Sequence, residues 1–91
     1  MENQTLINQK IKVVVVYGGD GEQVCLPKRM LYKNRTYNFT ELGLRHPTSK
    51  GKRMIHVFDM SDGAADYRLE FDAEALTWML VAISDSQDVR Y

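Results

Sequence analysis

The side chains in this chain with the clearest chemical potential are its cations. Between Leu26 and His56 stand eight of them, Lys28, Arg29, Lys33, Arg35, Arg45, Lys50, Lys52 and Arg53, against a single acid, Glu41. Tyr32, Tyr37 and His46 are interleaved with them. Lys and Arg neutralise phosphates and planar rings stack on bases, so the mixture suits a sheet-based nucleic-acid binder. From Val57 to the end the balance inverts, with eight acids (Asp59, Asp62, Asp66, Glu70, Asp72, Glu74, Asp85, Asp88) against Arg68 and Arg90. The net charge of the whole chain is zero. A second reading therefore stands beside the first, in which acids of the second half neutralise bases of the first across paired strands. An acidic protein partner would use the same bases.

Catalytic and metal chemistry have less to build on. His46, His56, Cys25 and Asp59 are the available metal ligands, and no pair of them has the close spacing of a zinc ribbon, a finger or a paired-histidine helix. Cys25, Ser49, Ser61, Ser84 and Ser86 are possible nucleophiles, but no local signature sets a base and an orienting carboxylate beside any of them. Asp66, Glu70 and Asp72 alternate with apolar residues as a solvated strand face does, rather than converging as an acid–base pair. The expectation is a protein that is not an enzyme and that uses no cofactor and no metal.

Val13 to Gly21 resembles the strand followed by a Gly-Gly-Asp-Gly loop of NAD kinases and diacylglycerol kinases, where small residues let the backbone approach a nucleotide's phosphates. Here Glu22 stands where that loop has a threonine and would repel phosphate. Those enzymes also use a nucleotide-binding α/β domain far larger than this chain. Gly18-Gly19-Asp20-Gly21 is read instead as a hairpin turn.

The elements that must position the cations are strands. Ile11 to Tyr17 is dense in valine, which packs well on a pleated surface, and is read as a strand buried on both faces. Pairing Tyr17 with Glu22 across the turn sets Val15 opposite Val24 and Val13 opposite Leu26. Pro27 lacks an N–H, so it should end this strand, lie on an edge or mark a bulge. Met30 to Tyr32 and Thr36 to Leu42 flank Lys33-Asn34-Arg35, a second tight turn that brings Tyr32 near Tyr37. Gly43 to Lys52, with Gly43, Pro47, Ser49 and Gly51, reads as the main loop.

Arg53 to Met60 carries apolar residues at both parities, so either face could point inward. Tyr67, Leu69 and Phe71 alternate cleanly with Asp66, Arg68, Glu70 and Asp72 after the Ser61-Asp62-Gly63 turn. For Leu76 to Ile83, the run Ala73 to Leu76 favours helix, while Thr77, Trp78, Val81 and Ile83 favour strand. Pairing Asp72 with Thr77 decides for the strand, because Phe71 then meets Trp78, Leu69 meets Leu80 and Tyr67 meets Ala82.

The predicted fold is all-β, with about six short antiparallel strands in consecutive hairpins forming a curled sheet, a small barrel or a sandwich. The alternative is an α+β fold with a C-terminal helix at about residues 73–83. A chain of 91 residues, 44% hydrophobic and 26% charged, holds one folded domain. That domain is expected over 10–84, between a flexible N-terminal tail at 1–9 and a C-terminal tail at 85–91. Apolar runs such as Val13 to Tyr17 and Leu80 to Ile83 are far short of the roughly 20 residues of a spanning helix, and no leader pattern is expected at the start. With one cysteine and hence no internal disulfide, a cytoplasmic protein without membrane contact is expected.

The run Tyr32-Lys33-Asn34-Arg35-Thr36-Tyr37, then Tyr67-Arg68-Leu69-Glu70-Phe71-Asp72 and Trp78-Met79-Leu80, resembles a family of small bacterial domains of unknown function over roughly residues 26 to 85. The resemblance implies a β fold and carries over no activity or binding residues. The functional expectation is a non-enzymatic binding module that contacts nucleic acid or an acidic protein through Lys28, Arg29, Lys33, Arg35, Arg45, Lys50, Lys52 and Arg53, with Tyr32 or Tyr37 stacking on bases. Its rivals are a module that forms homo-oligomers or docks a protein partner through strand edges and, more remotely, a small hydrolase or metal enzyme.

Overall fold

The computed structural model describes residues 4–18 and 25–85. They form seven strands, β1 (Gln4–Tyr17), β2 (Cys25–Tyr32), β3 (Arg35–Asn38), β4 (Glu41–Lys50), β5 (Arg53–Ser61), β6 (Ala65–Asp72) and β7 (Thr77–Asp85). All pairings are antiparallel, in one unclosed sheet of order β3-β2-β1-β7-β6-β5-β4. Among the described residues there is no helix, so the fold is all-β and the α+β alternative is excluded. No helix among them is long and apolar enough to cross a membrane.

The clean alternation of Tyr67, Leu69 and Phe71 sets the inner face. Phe58 pairs with Leu69, Leu69 with Leu80, and Phe71 with Trp78, so large apolar side chains meet across three strands. Leu69 and Leu80 are fully buried, with Phe58 and Met30 at 1% exposure. The Trp78 ring lies 5.4 Å from Phe58 and 4.7 Å from Phe71, tilted contacts that suit the ring quadrupoles. The predicted pairs Asp72–Thr77, Phe71–Trp78 and Leu69–Leu80 are all present. A bulge between Arg68 and Leu69 then shifts the register, so Tyr67 meets Ile83 and not Ala82.

Four expectations are corrected and one open reading is resolved. First, the polar start of the chain is a strand from Gln4 onward, because β7 pairs with it through Gln4, Thr5 and Leu6 and again from Gln9 to Ile11. Asn8, at φ 53°, occupies the bulge between these two stretches. At the other end β7 includes Asp85, and the rest of the predicted C-terminal tail lies outside the described residues.

Second, β1 is not buried on both faces. Val13 and Val15 pack toward the core, whereas Val14 and Val16 are each 50% exposed. Third, Val13 pairs with Met30 and Val15 with Pro27, and the predicted Gly18-Gly19-Asp20-Gly21 turn falls, beyond Gly18, outside the described residues. The ladder slips at Lys28, where Pro27 can donate nothing, so Pro27 marks a bulge as its chemistry predicts. Fourth, Gly43 to Lys52 is mostly strand. Backbone bonds to β5 hold β4 in place with little help from apolar side chains, a ladder that periodicity does not register. Gly43 sits at the bulge between Leu42 and Leu44, and a Cβ there would lie 3.2 Å from the Asp59 carbonyl oxygen.

Fifth, β5 is buried on both faces. Phe58 and Met60 enter the core, while Ile55 and Val57, at 6% and 4% exposure, lie on the other face between Thr48 and His46 of β4 and Asp72 and Glu70 of β6.

The second turn lies where it is predicted but is one residue shorter: Lys33 and Asn34 form it, with φ of 53° and 64°, and Arg35 belongs to β3 opposite Tyr32, the paired positive φ of a type I′ hairpin. The step from β3 to β4 makes the sheet curl. The Phe39 amide donates to the Lys28 carbonyl at 2.9 Å and the next amide, that of Thr40, donates to the Ser61 carbonyl at 2.7 Å. Adjacent residues thus bond to β2 and β5, which brings the two ends of the sheet together around the buried Phe39.

The Ala73–Leu76 run is a turn rather than a helix start. The Asp72 carboxylate accepts from the Glu74 and Ala75 amides at 3.0 and 3.1 Å, and the Leu76 amide donates to the Asp72 carbonyl at 2.7 Å. Leu76 is left-handed at φ 60° and 73% exposed. That conformation costs a side-chain-bearing residue about 1–2 kcal/mol, of which glycine's extra unfolded-state freedom offsets part, so Leu76→Gly is expected to stabilise the fold by about 0.5–1 kcal/mol. A thermal melt should show the midpoint rising by a few degrees; an unchanged or lower midpoint would contradict the strain.

Candidate nucleic-acid interface

Register decides where each cation points. Met30 and Tyr32 face the core, so Arg29 and Leu31 face outward. On β1 the same parity rule turns Lys12, Val14 and Val16 outward, opposite the inward Val13 and Val15. Lys12 pairs with Leu31, which pairs with Thr36; Val14 pairs with Arg29, which pairs with Asn38. Paired residues share a face, so Lys12, Val14, Arg29, Leu31, Thr36 and Asn38 form one exposed surface. Lys10 continues it along β1, and Lys33 stands at its end in the β2–β3 turn.

The electrostatics divide along the same line. Strands β1 to β3 and their described connections carry Lys10, Lys12, Lys28, Arg29, Lys33 and Arg35 and no described acid. Every described carboxylate lies from Glu41 onward. The predicted basic segment is therefore two groups. In the β4–β5 group, Lys50 bridges to Glu70 at 2.8 Å, and Arg53 bridges to Asp72 and, at 3.5 Å, to Glu74. Here the reading in which acids neutralise bases across strands holds. Arg45 and Lys52 are exposed on the same hairpin. The Arg45 charge reaches Cys25, across the curl of the sheet.

The two candidate stacking rings are engaged in packing. Tyr32 is 7% exposed and packs 6.3 Å from Tyr37, which lies 5.7 Å from Tyr67. The Lys33 ammonium sits 5.5 Å from the Tyr32 ring centre and the Arg35 guanidinium 5.3 Å from that of Tyr37. These cations cap the rings, leaving neither as an open platform. Lys10 and Lys12, absent from the predicted set, belong to the surface. Their signal was the parity of β1, readable once the strand is known to have a wet face.

Other groups are scattered. His46 opposes Val57 and His56 opposes Pro47, so the two imidazoles point to opposite faces of the β4–β5 ladder. Asp59 is held by Arg68, Nε to Oδ1 at 2.8 Å and Nη2 to Oδ2 at 3.1 Å. Burial pushes the Cys25 thiol up, and the Tyr17 hydroxyl and Arg45, which favour the thiolate, offset only part of this. An activated nucleophile needs the opposite shift. A groove of about 500 Å³ is lined by Glu41, Asp59, Asp66 and Arg68 among others. Its single cation is bound to Asp59, so the groove does not suit an anion.

No protein-family model, curated protein or solved structure matches this chain.

Proposed function

We propose that this protein is a non-enzymatic binding module of the cytoplasm that holds nucleic acid on the outer face of β1, β2 and β3. The observation that carries the reading is the division of charge: Lys12, Lys28 and Arg29 lie on strands that contain no described carboxylate, whereas Lys33 caps the Tyr32 ring and Lys10 borders the groove that holds Glu70 and Asp72. Lys50 and Arg53 are occupied by Glu70 and Asp72. A cation without an intramolecular partner releases phosphate counterions on binding, whereas an ion-paired one must first give up its partner. Pairing through an open edge is the weaker reading, because β3 spans only Arg35–Asn38 and β4 carries Pro47, features that blunt edges.

Fluorescence anisotropy with a labelled oligonucleotide across a salt series tests this. Affinity should fall with salt, with a slope of about 0.7–0.9 log units per phosphate contacted. Lys12→Glu and Arg29→Glu should each cut the slope by about 1 and weaken binding roughly evenly across sequences. Lys50→Gln and Arg53→Gln should change affinity by less than about twofold, because both lie on β4–β5 beside Glu70 and Asp72, away from the proposed β1–β3 face. Absence of binding at low salt, or equal losses from both groups of variants, would defeat the proposal.

A further inference from the structure

A face that only gathered phosphates would need no apolar surface, yet this one has it. Val14 and Val16 are each 50% exposed and Leu31 is 41% exposed, interleaved with the cations. Val14 opposes Arg29 and Lys12 opposes Leu31, so each of these cross-strand pairs sets an apolar residue against a cation. Direct cross-strand partners and next-but-one residues along a strand are about 5–7 Å apart. That is the scale separating a nucleotide's phosphate from its base. Between these residues lies a shallow cavity of about 260 Å³ lined by Lys12, Val14, Arg29, Leu31 and Thr36 with Val13 and Met30 beneath.

Resting on the proposed nucleic-acid reading, we infer that the ligand is single-stranded, with bases lying on Val14 and Leu31 and flanking phosphates on Lys12 and Arg29. A duplex turns its phosphates outward and keeps the faces of its bases stacked inside, so it would leave these apolar side chains against water or charge. A single strand can rotate a base onto them, since every base has an apolar face. Aliphatic side chains serve here because the nearby rings of Tyr32 and Tyr37 are packed inward and capped.

The test compares three labelled probes of about 12 nucleotides at one low salt concentration: oligo(dT), a duplex, and an abasic strand that keeps the sugar–phosphate chain without bases. Oligo(dT) is expected to bind about tenfold or more tighter than the abasic strand, the equivalent of about one stacked base, and tighter than the duplex. The double variant Val14→Ser, Leu31→Ser should narrow the gap between oligo(dT) and the abasic strand to under about twofold. Both positions are exposed, and should the variant fail to fold, the three probes on the unaltered chain still decide. If the abasic strand or the duplex binds as tightly as oligo(dT), the single-strand inference fails while phosphate binding stands. If no probe binds, the underlying reading fails as well.

Discussion

Leu69→Ala is expected to lower the unfolding free energy by about 3–5 kcal/mol, the cost of lost burial plus the cavity left behind. Leu69 is fully buried and lies between Phe58 of β5 and Leu80 of β7, at the point where the inner faces of three strands meet. Neighbours fixed in a hydrogen-bonded ladder can close little of the void. Domains of this kind are stable by only about 5–15 kcal/mol, so the change would consume much of the total. Urea titration should show the midpoint falling with an unchanged slope. Leu31→Ala, at a residue 41% exposed on the outer face, should cost less than about 1 kcal/mol. Equal costs at the two positions would mean that the faces are assigned the wrong way round.

The second large effect is expected at the β5–β6 turn, where one carboxylate serves two purposes. Asp62 Oδ1 accepts from the Ala64 and Ala65 amides at 2.9 and 3.0 Å, while Oδ2 accepts from the Tyr67 hydroxyl at 2.7 Å. Tyr67 is 4% exposed and packs 5.6 Å from Phe39 and 5.7 Å from Tyr37, so its hydroxyl has little recourse to water. Asp62→Ala removes the turn bonds and leaves that hydroxyl unsatisfied, at a combined cost of about 2–4 kcal/mol. Tyr67→Phe leaves no donor unpaired and should cost about 1 kcal/mol. In the Tyr67→Phe background, Asp62→Ala should cost visibly less than in the unaltered chain. Strict additivity would show that the two groups are not coupled.

The same pair makes stability depend on pH at both ends of the scale. Burial pushes the Asp62 carboxyl up, but the Tyr67 hydroxyl and the Ala64 and Ala65 amides outweigh it, so the folded value is lowered. On acidification the unfolded chain therefore takes up this proton first. The stabilisation is present above the unfolded value of about 4 and is lost as pH falls through the lower folded value. Tyr67 moves oppositely. Burial, followed by its bond to Asp62, raises its folded value, so its contribution is complete below the unfolded value of about 10 and is lost as pH rises beyond it. Asp62→Ala should flatten the acid limb of a stability–pH profile relative to the unaltered chain; an unchanged limb would assign the acid sensitivity to other carboxylates.

Inner-face packing and outer-face charge are linked. Met30 and Tyr32 can enter the core only if Arg29 and Leu31 face outward, and Val13 and Val15 can do so only if Lys12 and Val14 do the same. The apolar pattern that drives folding thus presents the cations, and no separate device is needed to gather them.

Much of this was legible before any coordinates. Tyr67, Leu69 and Phe71 alternate without ambiguity, and their pairing with Trp78 and Leu80 follows from matching large apolar residues across a tight connection. Asn34 marks its turn because few side chains tolerate positive φ. Local chemistry of this kind depends only on residues close in sequence, so the sequence by itself determined the all-β class, the β2–β3 hairpin and most of the β6–β7 register.

The tertiary structure decided what depends on distant partners. Gln4 to Ile11 is a strand because β7 lies beside it, and Glu41 to Lys50 is one because β5 does; backbone bonds leave no trace in side-chain periodicity. The Val14/Val15 and Arg68/Leu69 bulges shift registers that pattern alone would run straight through. The eight predicted cations and two tyrosines were divided in the same way. Partners remote in sequence, Glu70 and Asp72, occupied Lys50 and Arg53, and the core took Tyr32. Lys12 joined Arg29 because the β1–β2 pairing turned both to one face, and Lys10 follows Lys12 by the parity of β1. Which charges share a surface is a property of pairing, and pairing is settled by contacts between segments that the linear order keeps apart.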